Sequence, residues 1–399
     1  MATLPPELQA EAAREFRALR RHLCAGVAEA NHKARRKCWQ HWKEIAISRK
    51  VDPCLEGTPN EQKIVLILAF AERIREGICG RRKRVRVGTA QLGLRAIGTT
   101  FALAGRPNPL HEDANRHIAP LHRLIEGMKR EDPPTQPKLA VPPTVPEFLM
   151  NVGKFTTNNN ASKQKAIGDL SVIAFYYLLR VGEHTFQTKN STHECQRRRT
   201  RTMQFRARDV TFRRNGNIIP NNVNLQTLLS ADEATLCISN QKNGSKGQLI
   251  HHQAFNGEDC PMKALARRVN HIMCHTTNQQ TMLGTHFDKN NTKHHLISDD
   301  MNKAVQFAVK HLNMHDQGFN SKNVGSHSPR AGGAMAAKLN GIDRDTIKKM
   351  GRWSSDTFLM CIHEQIAHLS HGVAQKMSTR LPFRNIAPVT LIEPAAASA

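Results

Sequence analysis

The residues best suited to chemistry stand in three stretches far apart in the chain. The first is Gly325-Ser326-His327-Ser328-Pro329-Arg330-Ala331-Gly332-Gly333. Ser328 suits a helix cap, Pro329 the first helical position and Asn340-Gly341 an end, so His327 and Arg330 would flank a helix N-terminus. Free amides, an imidazole and a guanidinium would there surround a phosphodiester and stabilise the charge that grows on it in a pentavalent transition state. Gly332 and Gly333 each cost about 1 kcal/mol relative to Ala in a helix unless another backbone passes closely. By itself, His-x-x-Arg also fits chance in a chain with 21 histidines.

The second stretch is Arg180-Val181-Gly182-Glu183, which follows the apolar run Tyr176-Tyr177-Leu178-Leu179. An arginine at the end of a buried helix can complement the helix dipole and pair with Glu183, and the residues alone favour that reading. It can also be a preorganised fork for a phosphate. The third stretch, 234–250, alternates apolar residues around Asn243-Gly244 and reads as a hairpin with Lys242 and Lys246 at its tip. Tip lysines are usually solvated, but one reaching into a DNA groove could protonate a departing sugar hydroxyl.

The elements that must position these residues follow from periodicity. Apolar residues recur at three- and four-residue steps over 6–31, 32–49, 61–76 and 89–104, which predicts four or five helices within 1–131. Gly77 and Gly80 close the third, and Arg81-Arg82-Lys83-Arg84-Val85-Arg86 follows at once. Such a run is a solvated loop, a nuclear import signal or a grip on a phosphate backbone. Residues 132–146, with six prolines, read as a stiff linker and domain boundary. Beyond it a helix is expected near 162–180, short strands over 203–220 and 234–254, and helices near 260–275, 298–312, 329–340, 343–350 and 355–369. The fold class expected is mainly α with a small antiparallel β-sheet (α+β): a basic helical domain, the linker, a second domain over 147–385 and a tail over 386–399.

The chain's 399 residues bury a core without staples, and 39% hydrophobic residues argue against disorder. No window approaches the about 18 apolar residues of a membrane span, and the opening residues lack a secretory signal's apolar segment. An intracellular location, nuclear in a eukaryote, is therefore expected, with no membrane partner. The balance of 58 basic against 33 acidic residues gives +25, and residues 1–130 hold 25 against 13 of these, so both halves share the excess. A long positive surface points to a nucleic-acid backbone. Nine scattered cysteines without a Cys-x-x-Cys pair read as reduced thiols. Neighbours such as His251-His252, His271/Cys274/His275 and His294-His295 lack a second pair at zinc-site spacing and read as solvated loop and strand residues, so neither metal nor cofactor is expected.

Taken in order, Arg180 with Glu183, a hairpin lysine, His327-x-x-Arg330 opening a helix, then Gly351-Arg352-Trp353 and a short final helix resemble the catalytic domain of tyrosine recombinases. The resemblance is closest to the integrase-like branch carried by eukaryotic mobile elements. The basic domain resembles the core-binding domain that closes the other side of the DNA clamp, with Arg81, Arg82, Lys83, Arg84 and Arg86 as DNA contacts. This implies DNA recombination and integration by phosphodiester breakage and rejoining on double-stranded DNA, and it allows a homo-oligomer on DNA.

By the same resemblance Arg180 and Arg330 would neutralise the scissile phosphate, His327 would assist proton transfer and Trp353 would pack on and bond to the phosphate. Glu183 would hold Arg180, and Lys242, with Lys246 as competitor, would be the general acid. The family's nucleophilic tyrosine, however, falls on Cys361. The only tyrosines, Tyr176 and Tyr177, precede Arg180 and read as core and helix surface. A thiol titrates near about 8.5 against about 10 for a phenol, but its sulfur sits roughly 4 Å nearer its own backbone, and misplacement by about 1 Å can cost a hundredfold. Cleavage in cis is therefore expected to be impaired while phosphate binding survives. The alternatives are a purely DNA-binding or architectural protein derived from a mobile element, a tyrosine supplied in trans by a partner, and an RNA-binding cationic protein.

Overall fold

In the computed structural model, the structure describes residues 5–25, 29–79, 83–112, 116–134, 138–186, 203–239, 247–356 and 359. The first five helices are α1 (Pro6–Ala25), α2 (Glu29–Ser48), α3 (Asn60–Arg75), α4 (Val87–Leu103) and α5 (Ala119–Glu131). The core shared by α2 to α5 is aromatic at its centre. Trp42 of α2 is wholly buried and meets Phe70 of α3 edge-on, with 5.3 Å between ring centroids, while Leu94, Ile97, Leu121 and Ile125 close around them.

The described part of the basic run is anchored by an ion pair between buried Arg75 and half-buried Asp132. Arg75 meets Asp132 at 2.5 Å and donates to the Val85 carbonyl, and Asp132 accepts from the Val87 amide at 2.8 Å. Burial opposes the charge on Asp132, but the Val87 amide and Arg75 outweigh it and hold the carboxyl below its usual range. Lys83, Arg84 and Arg86 are exposed on this segment, Arg84 pairing with exposed Glu131. Arg81 and Arg82 lie outside the described residues.

The stretch expected as a stiff linker is partly packed. The Leu139 amide donates to Asn323 O at 2.7 Å and the Val141 amide to Ser328 O at 3.4 Å, and Ala140, Val141 and Val145 are buried. Helix α6 (Thr144–Phe155) starts inside it, since prolines in a first helical turn lose no hydrogen bond there. Next comes α7 (Ala161–Tyr176), buried continuously from Ala166 to Phe175, the middle of the larger core. It stops at Tyr176 and not at 180, because Leu178 takes a left-handed φ of 49°. The four-residue α8 (Val181–His184) follows, with Arg180 as its N-cap residue.

A four-stranded antiparallel sheet lies beyond: β1 (Val210–Arg214), β2 (Asn217–Ile219), β3 (Glu233–Ile238) and β4 (Gln248–Gln253), in the order β2-β1-β3-β4, with α9 (Leu225–Leu229) between β2 and β3. Strands β3 and β4 form the expected hairpin, pairing Leu236 with Ile250 and Ile238 with Gln248. Its tip, with Lys242 and Lys246, lies outside the described residues. Then follow α10 (Pro261–His275), the hairpin of β5 (Thr285–Phe287) and β6 (Lys293–His295), α11 (Ser298–His311), α12 (Ser328–Leu339) and α13 (Arg344–Gly351). The helix expected over 355–369 and the tail fall almost wholly outside the described residues.

The architecture is thus mainly helical with a small antiparallel sheet. No helix among the described residues is long and apolar enough to cross a membrane.

Two of the histidines expected to be solvated are structural instead: His271 accepts from the Phe287 amide at 3.2 Å, and His252 bonds the Tyr176 carbonyl at 2.9 Å. His184 is buried as well. Desolvation pushes His184 and His286 down to about 4, so these imidazoles are neutral at pH 7.

Candidate phosphate-binding site

The site forms where the end of α7, the start of α12 and the end of α13 meet. Helix α12 reaches it by close approach. A Cβ at Gly332 would collide with the Val141 carbonyl oxygen and the Phe175 ring, and one at Gly333 with the Phe175 carbonyl oxygen. The two glycines therefore let α12 lie directly on α7 and on the 139–141 segment, which accounts for their place in the first turns. Ser328 accepts from the Gly325 amide at 3.0 Å and Pro329 occupies the first turn, which sets Arg330 over the end of α7.

The left-handed turn at Leu178 aims its carbonyl at two guanidinium groups. Arg330 Nη1 donates to Leu178 O, and Arg352 Nη2 donates to the same oxygen at 3.1 Å. Arg330 Nη2 also donates to Gly351 O at 2.6 Å, and its guanidinium carbon lies 4.2 Å from the centroid of the Trp353 ring. Arg180 Nη2 reaches the next carbonyl, Arg352 O, at 3.5 Å. Arg180 and Arg330, 150 positions apart, thus donate to consecutive carbonyls of one turn.

Glu183 binds this cluster together. One carboxylate oxygen accepts from the Arg180 amide at 2.7 Å and from Arg352 Nη2 at 2.9 Å; the other accepts from Arg180 Nη1 at 3.3 Å. The carboxylate is buried, as are Arg330 and Arg352, whereas the Arg180 side chain is 30% exposed. Arg180 is therefore the outward member of the group. Among the described residues, three guanidinium charges stand against one carboxylate charge, an excess that a partly buried site balances most readily with an anion.

His327 sits at the rim. Burial of part of the ring, then the charges of Arg330 and Arg180, hold its imidazole below its ordinary value. The ring keeps a solvent-facing side, so the arginine charges are the part of that shift an incoming anion would cancel. Behind it, His184 bonds the Arg180 backbone, while its Nδ1 is buried without a partner.

The structure therefore brings together Arg180, Glu183, His327, Arg330 and Trp353. Tyr176 and Tyr177 are committed elsewhere, donating to Asp259 at 2.8 Å and to the Ala234 carbonyl at 2.9 Å. Lys242 and Cys361 lie outside the described residues. Arg352 and the Leu178 carbonyl were not singled out by sequence reasoning; the one available signal was an arginine placed between Gly351 and Trp353. Among the described residues, no group of three or more His, Cys, Asp or Glu side chains is arranged to hold a metal ion.

No family model matches the sequence, and no curated protein matches it. Among solved structures, the chain is similar to the Tn1549 transposon integrase in complex with transposon right end DNA, at 15% identity over 92% of this chain and 98% of that one, with a TM-score of 0.45. The same integrase with circular intermediate DNA aligns at 15% identity over 81% and 87%, with a TM-score of 0.41. XerA recombinase aligns at 13% over 88% and 100%, with a TM-score of 0.36.

Proposed function

We propose that this chain binds duplex DNA through a phosphate site of the tyrosine recombinase type, and that strand cleavage in cis is lost with the nucleophilic tyrosine. The observation that carries the reading is the guanidinium cluster: Arg180 and Arg330 on neighbouring carbonyls, Glu183 bracing the first and Trp353 stacked on the second. In this reading Arg180 meets a backbone phosphate first, and Arg330 supplies charge from behind. His327, neutral at pH 7, is placed to share a proton with a phosphate oxygen. Lys242 is the general acid by residue order, and Lys83, Arg84 and Arg86, with Arg81 and Arg82, grip flanking backbone. Residue order alone supports the mobile-element branch and assembly of copies on DNA, and the basic run at 81–86 is what supports a nuclear location.

The test is a nicked suicide duplex. The complex is expected to be retained on a native gel and to leave no covalent adduct on a denaturing gel. An adduct that vanishes in Cys361→Ala would overturn the loss of cleavage, and absence of any retained complex would overturn DNA binding itself.

A further inference from the structure

Arg352 is built in at a cost that its fold position does not require. It is the residue after α13 and has φ 59°, a left-handed conformation in which helix ends favour glycine or asparagine. Its side chain is almost completely buried. Only Nη2 has partners, Leu178 O and Glu183; Nε and Nη1 are buried without any. Burial lowers its pKa most strongly, Glu183 opposes this, and Arg180 lowers it further, so the charge is held against a like charge nearby. A strained backbone, two unpaired donors and like-charge repulsion at one residue mark a position kept for what the side chain does.

We propose that Arg352 is a positioning residue of the anion site. It grips Glu183 on the oxygen that also receives the Arg180 amide, and its own carbonyl receives Arg180 Nη2. Side chain and backbone of one residue thereby confine Arg180 from two sides, so the outward guanidinium meets a phosphate in one fixed orientation. This inference rests on the phosphate-binding reading above.

The experiment compares binding of a fluorescent duplex by the full chain and by Arg352→Gly, Arg180→Ala, Arg330→Ala and the double variant Arg180→Ala/Arg352→Gly. Glycine adopts the left-handed turn without strain, so Arg352→Gly removes the side chain while keeping the turn, and a melting curve verifies the fold. Arg352→Gly is expected to weaken binding about tenfold, as Arg180→Ala does, and the double variant to bind no more weakly than either single one. Arg352→Lys keeps a charge but lacks the planar fork, and is expected to fall between wild type and Arg352→Gly.

Wild-type binding by Arg352→Gly or Arg352→Lys, or losses that multiply in the double variant, would overturn the positioning role. If Arg330→Ala weakens binding in the same series, the phosphate reading stands and only this inference fails. If Arg330→Ala also binds as wild type, the reading beneath it fails.

Discussion

A buried guanidinium is informative because water would otherwise solvate it so well. Arg330 and Arg352 are buried on one carbonyl oxygen, and the more exposed Arg180 completes the set. An anion bound there screens Arg330 and Arg180 and so raises the pKa of His327, whose folded value burial and then those charges hold down. The sign follows by linkage: if the bound state has the higher His327 pKa, binding takes up protons and affinity rises as pH falls towards the bound-state value. Dissociation constants measured between about pH 5.5 and 7.5 are expected to tighten towards acid in the wild type and to flatten in His327→Asn. Equal slopes in the two proteins would remove His327 from the site. At this scale most of the site was legible, because Arg180, Glu183, His327 and Arg330 carry local signals, an acid three residues on or a helix start. Arg352 was not, because its partner Glu183 lies 169 positions away and nothing local announces the pair.

At the scale of elements, the site depends on how closely α12 can lie on α7. Two glycines in the first turns of a helix are expensive unless another backbone passes nearby, and the carbonyls of Val141 and Phe175 are that backbone. Gly333→Ala is expected to force the helices apart, costing about 1–3 kcal/mol or more in denaturant unfolding, and to weaken DNA binding because Arg330 moves with α12. Unchanged stability would show that the contact is loose. Helix α6 escaped sequence reading because Pro143 and Pro146 look like linker residues, while the chain uses Pro146 within the first helical turn. The β5–β6 hairpin escaped because each strand is only three residues long, one of them Lys-His-His, with no alternation to register. The end of α7 was placed four residues late, since nothing in an apolar run of Tyr and Leu foretells a left-handed turn at Leu178.

For the whole molecule, charge is the argument. The +25 excess is shared between residues 1–130 and the remainder, and the described part of the basic run is exposed and tied down through Arg75 and Asp132. A surface of that kind gains affinity by releasing counterions, which makes binding steeply dependent on salt. The central claim is that Arg180 and Arg330 close on one phosphate of duplex DNA, and the most direct measurement is duplex affinity against salt for the wild type and for Arg180→Ala and Arg330→Ala. We expect a steep wild-type slope of log affinity on log salt, corresponding to about six or more phosphate contacts. Each variant is expected to lose about 1–3 kcal/mol and about one unit of that slope. Wild-type affinity and slope in both variants would contradict the account.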